Sequence, residues 1–135
     1  MTLNPNLYLW IMKCCRVIIL LFFIGCQNNE ADAPELFTEE AQSIASTGVL
    51  MSAEIREIGP VRPVNFGFLW DTQPDLTMAA ASNKYFGGST SETRKFSIQL
   101  SNLTASTKYY YRGFAANGDY SKIYYGNVVT FTTLP

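Results

Sequence analysis

Leu103-Thr104-Ala105-Ser106-Thr107-Lys108-Tyr109-Tyr110-Tyr111-Arg112-Gly113-Phe114-Ala115-Ala116-Asn117 carries a turn followed by a strand. Residues 104–107 are short and mostly polar, as in a turn. Residues 109–116 are aromatic and small, a composition that favours a pleated strand over a helix. Asn117-Gly118-Asp119 follows, and then a second run of strand formers over 123–132. An Asn-Gly pair between two such runs is a strong hairpin signal, because both residues tolerate the positive φ of a tight turn.

Working back toward the N-terminus, period-2 alternation continues. In 95–100, Phe96, Ile98 and Leu100 face one way, while Lys95, Ser97 and Gln99 face the other. Such alternation predicts a sheet with one face in a core and one in water. Val49, Met51, Ala53 and Ile55 alternate with Leu50, Ser52 and Glu54, and Gly59-Pro60 then marks a turn. Val64, Phe66, Phe68 and Trp70 alternate with Asn65, Gly67 and Leu69, and the segment 71–75 breaks that strand. A weaker strand is expected over 84–86, before Gly87-Gly88. No segment sustains a helical period, and 39–46 offers a brief turn at most. About seven short strands at even spacing predict an all-β antiparallel domain over residues 35–135, as a sandwich or a barrel.

The segment 103–109 decides between them. Leu103, then Thr107 four residues on, then Tyr109 two further, resembles the tyrosine corner of fibronectin type III domains. The runs 109–117 and 125–133 resemble the last two strands of the bacterial variety of that family, frequent in Bacteroidota lipoproteins. Gly67-Phe68-Leu69-Trp70 with Pro74 fits its third strand and the turn after it. The resemblance implies a seven-stranded immunoglobulin-like sandwich in which the Tyr109 hydroxyl bonds back to the backbone across the corner. It also implies a scaffold for adhesion and spacing. Animal members carry a core Trp on the second strand, and 49–53 has none.

The N-terminal segment is of another kind. Residues 17–24 are wholly apolar and follow Lys13 and Arg16. A positive region before a short apolar run reads as a helical secretory signal over residues 1–25. A spanning helix needs ~20 apolar residues, and Arg16 stops this run from extending backwards. Met12 is a more natural initiator than Met1. The run ends Phe23-Ile24-Gly25-Cys26, which resembles the bacterial lipobox and implies cleavage before Cys26 and its lipidation. Residues 26–34 are small, polar and acidic, as in a flexible tether. Acidic residues just after the lipid Cys resemble the surface-export signals of Bacteroidota lipoproteins. The expected location is therefore the cell envelope, as an outer-membrane lipoprotein facing the periplasm or the surface.

Composition narrows the function. The net charge is −1, which gives no basic footprint for nucleic acid. The chain has no His, the usual general base near neutral pH and the commonest metal ligand. Its three cysteines, Cys14, Cys15 and Cys26, all precede the domain, so roughly 100 residues must fold on a hydrophobic core alone. Glu39, Glu40, Glu54, Glu57, Asp71 and Asp75 are the acids available for pairing, and they read as solvated turn and strand-face residues. Gly87-Gly88-Ser89 lacks the helix and Lys of a phosphate loop. No enzyme activity, cofactor or metal is expected.

The partner is expected to be a protein of the envelope or a glycan, the latter for an accessory lipoprotein of polysaccharide uptake. If Tyr109 and Tyr111 point inward, then Tyr110, Arg112 and Phe114 point outward, with Tyr124 near them on the last strand. This set is the expected binding face, because outward rings beside an Arg suit a partner or a sugar.

Overall fold

The computed structural model describes residues 33–135. The signal, the Cys26 lipidation site and all but the last two residues of the tether lie outside the described residues. Eight strands run in order: β1 (Glu35–Thr38), β2 (Val49–Glu57), β3 (Val64–Asp71), β4 (Asn83–Thr90), β5 (Arg94–Leu100), β6 (Lys108–Ala116), β7 (Ile123–Tyr125) and β8 (Val129–Thr132). Every pairing is antiparallel. One sheet has the order β1-β2-β5; the other has β4-β3-β6-β7, with β8 also on β6. Among the described residues there is no helix.

The alternation predicted for β2 holds: Val49, Met51, Ala53 and Ile55 are buried. They meet Phe66 and Phe68 of β3, Phe96 of β5, Tyr109 and Tyr111 of β6, and Val129 and Phe131 of β8. Phe96 fits between Phe66 and Phe68 at centroid separations of 4.7 and 4.9 Å. Each such ring, once removed from water, stabilises the fold by roughly 1.5–3 kcal/mol. Between the sheets there is no room for even a methyl group at the middle of β6. A Cβ on Gly113 would lie 2.9 Å from the Ala53 Cβ.

Two findings differ from the sequence reading. The last strand, expected unbroken over 123–132, is split at 126–128, and both pieces pair β6. Seven strand positions are therefore occupied by eight segments. The break has a local cause. Thr38 at the end of β1 docks there: its Oγ1 accepts from the Gly113 N–H at 3.1 Å. The Asn127 side chain accepts from the Thr38 N–H at 2.8 Å and donates to the Thr38 carbonyl at 3.0 Å. Only Gly fits beside it, because a Cβ on Gly126 would sit 2.6 Å from the Thr38 Oγ1.

The second difference concerns the outer face of the five-stranded sheet, which is not bathed in water. Leu69, Phe114 and Ala116 on that face are fully buried against Leu76 and Ala81, which belong to the connection 72–82. This connection crosses the sheet as a strap.

Candidate functional site

The strap begins and ends on one carboxylate. Asp71, 8% exposed, closes β3. Its Oδ1 accepts from the N–H of Thr72 at 2.7 Å and of Gln73 at 3.3 Å, and its Oδ2 from the Ser82 N–H at 2.7 Å. Both ends of the excursion are thus tied to one side chain. Hydrogen bonds from the Ser82 side chain and backbone, helped by those from Gln73 and Thr72 and opposed by burial, lower the Asp71 pKa to about 2. Midway, the Met78 N–H donates to the Tyr125 hydroxyl at 2.9 Å, pinning the strap to β7.

The strap corrects the expected binding face. Phe114 does point outward from the main core, as alternation requires, yet its exposure is 0%. Leu76 and Ala81 cover it from above, and Phe86 meets it edge-on at 5.9 Å. Tyr124 is on the other side of the sheet altogether. It pairs with Ala115 and packs against the inter-sheet core. Opposite Phe114 stands Tyr125 instead. A register offset of one residue moves a side chain to the opposite face, and the split last strand supplied that offset. Tyr110 and Arg112 remain on the outer face, both half-buried. Trp70 is half-buried against the main core.

Arg112 holds an unusual position. Its guanidinium carbon lies 3.9 Å from the centroid of the Tyr125 ring, a close cation–π stack. Its Nε is sealed from water and has no hydrogen-bond partner among the described residues. Burial lowers the pKa of the guanidinium from its ordinary value, while Tyr125 and Asp75 act in the opposite direction. The charge is retained, since an Arg titrates far above neutrality.

At the corner, Leu103 is buried and the Thr104 N–H donates to the Tyr109 hydroxyl at 3.0 Å. The Thr107 hydroxyl donates to the Ala105 carbonyl at 2.9 Å. Thr133, which the sequence did not single out, completes the corner. Its Oγ1 accepts from the Thr107 N–H at 2.9 Å and donates to the Thr104 carbonyl at 2.6 Å. Tyr109→Phe is expected to destabilise the domain by ~1–3 kcal/mol, because the Thr104 N–H loses its acceptor. Tyr110→Phe, whose hydroxyl holds no such bond, is expected to cost under about 0.5 kcal/mol. Urea unfolding of the two variants measures the difference.

A groove of about 320 Å³ lies between the edge strands β4 and β5, lined by Phe66, Tyr85, Phe96, Arg94 and Lys95, and a second of about 250 Å³ lies beside it, lined by Glu39, Ser52, Lys95, Phe96 and Ser97. Lys95 is paired with Glu39 at 2.9 Å. Among the described residues no three His, Cys, Asp or Glu side chains converge as metal ligands.

No family model matches the chain, and no curated protein matches it. Solved structures do. The sensor domain of the anti-sigma factor RsgI4 from Pseudobacteroides cellulosolvens superposes with a TM-score of 0.56 at 17% identity, over 76% of this chain and 96% of that one. A fibronectin type III domain of human fibronectin type III domain containing protein 3 superposes with a TM-score of 0.51 at 14% identity, over 80% and 93%. A computer-redesigned β-sandwich protein gives 0.53 at 21% identity, over 76% and 97%. The fold is the fibronectin type III-like sandwich. At such identities the likeness carries the architecture and leaves the ligand to be argued from this chain's own side chains.

Proposed function

We propose that this chain is a non-catalytic interaction module, lipid-anchored in the bacterial envelope through Cys26, whose sandwich meets a protein partner. One observation supports the module reading above others. Among the described residues the buried polar side chains Thr38, Asp71 and Thr133 all direct their oxygens to the fold's own backbone. Buried polar groups are thus engaged in closing the sandwich and tying its strap and corner, so recognition is left to the surface. The sandwich neighbours, one of them a sensor domain, are in keeping with this.

Anchoring rests on Gly25-Cys26 at the end of the apolar run 17–24. Several acyl chains hold a protein firmly, since each buried methylene contributes ~0.8 kcal/mol. Cys26→Ala, expressed in a bacterial host with labelled palmitate, is expected to lose the label and leave the membrane fraction. Label retained by the variant would overturn the anchor. For the module, photo-crosslinking in intact cells from Val128, an exposed side chain in the break between β7 and β8, is expected to yield an adduct of one discrete mass. No adduct under conditions that crosslink a known envelope pair would overturn it.

A further inference from the structure

We propose that Arg112, stacked on Tyr125 at the outer margin of the five-stranded sheet, is a receptor for a carboxylate carried by an acidic polypeptide segment. The proposal rests on the module reading above and names the chemistry of its partner.

The first support is the state of the cation. A half-buried cation that holds no acceptor is costly, and an anion at its exposed end offsets that cost. Arg112 is in that state: its Nε is sealed in without an acceptor, and the guanidinium makes no ion pair or hydrogen bond among the described residues. Its Nε alone is sealed in, so the terminal nitrogens still reach solvent. The stack on Tyr125 holds the guanidinium plane in one orientation, with its fork of donors pre-aligned. A carboxylate matches that fork with two parallel bonds, whereas a lone ammonium offers only a point charge.

The second support is position. Arg112 stands where β6 changes partners, from β7 at 114–116 to β8 at 108–111. Gly126 still donates to the Gly113 carbonyl, and the chain then leaves the ladder at Asn127 to receive Thr38, so no strand residue is paired with Arg112 on that side. Its guanidinium lies over the Tyr125 ring, on the outer face of the sheet at the edge segment β7. A sugar ring is the poorer occupant. Stacking a sugar requires a bare aromatic face, and at Tyr125 the guanidinium is already there.

Asp75 supplies the discriminating feature. It lies on the strap, close enough to favour the charged form of Arg112, and is beyond ion-pair distance. If Arg112 awaits an external carboxylate, Asp75 competes with it. If Arg112 exists to hold the strap, Asp75 is its proper partner. The two cases predict opposite responses to Asp75→Asn.

The test uses the full chain in detergent micelles, with 15N-arginine labelling to follow the Arg112 Nε–H. The probes are an alanine-spaced glutamate hexapeptide, its glutamine counterpart, and tetragalacturonate. The glutamate peptide is expected to shift the Arg112 Nε–H and to bind at least about tenfold more tightly than the glutamine peptide. Arg112→Leu should abolish that difference. Arg112→Lys, which keeps the charge if the Leu variant misfolds, should reduce it several-fold. Asp75→Asn should tighten the glutamate peptide. An unmoved Nε–H, or weaker peptide binding by Asp75→Asn, would overturn the site. So would tighter binding of tetragalacturonate than of the peptide. A crosslinked adduct in cells that survives Arg112→Leu would leave the module reading standing while removing this site from it.

Discussion

Phe114→Ala is expected to destabilise the domain by ~3–5 kcal/mol, the usual cost of deleting a fully buried ring and leaving its cavity. On strand alternation alone this residue would be a surface ring, replaceable at little cost. In the fold it sits at 0% exposure between β6 and the strap, surrounded by Leu69, Leu76, Ala81 and Ala116. Small domains have only about 5–15 kcal/mol of stability in total, so the variant should be barely folded at room temperature. Phe86→Ala is the control. Phe86 touches Phe114 yet is 55% exposed, and its truncation should cost no more than about 1 kcal/mol. Urea denaturation of both variants measures the contrast. Equal, small losses would mean that the strap does not cover Phe114 in solution.

Asp71→Ala is expected to cost ~1.5–3 kcal/mol, because a charged acceptor of three backbone N–H groups is removed and both ends of the strap are released. The same carboxylate gives the domain an acid limb. Its folded pKa, about 2, is depressed below the ordinary 3.8. The stability this contributes is therefore fully present above about pH 4 and is lost as pH falls from there through about 2. Asp71→Asn removes the titration. Thermal unfolding of the native chain should weaken over that window more steeply than unfolding of the Asn variant. Parallel pH profiles would show that Asp71 does not clamp the strap.

The inter-sheet core was legible because its rule is local. Each of β2, β3, β5 and β6 alternates with period two, and the residues that alternation turned inward are those that meet between the sheets. The corner was legible from Leu103, Thr107 and Tyr109 through their resemblance to the fibronectin type III corner. Thr133 was not, since its role appears only when the chain end returns to the corner from 26 residues away. The strap was hidden for a related reason. Residues 71–75 read as a strand break, and nothing in Leu76 or Ala81 announces that they fold back over Phe114. The identity of the outward ring also depended on register. An unbroken last strand puts Tyr124 beside Phe114, whereas the break that admits Thr38 puts Tyr125 there. Arg112 was picked out correctly as outward-facing, but its stack on Tyr125 follows from that same break.

The strap is a fixed part of the fold, and its closure buries Phe114 and leaves Arg112 and Tyr125 half-buried beside it. Native-state hydrogen exchange at single-residue resolution tests this most directly. The amides of Met78, Ala81 and Ser82 donate to the Tyr125 hydroxyl, the Thr77 carbonyl and the Asp71 carboxylate. If the strap is fixed, these three amides exchange as slowly as those of β3 and β6 and open with the whole domain. Exchange at the rate of an exposed loop, while β3 and β6 stay protected, would contradict the account.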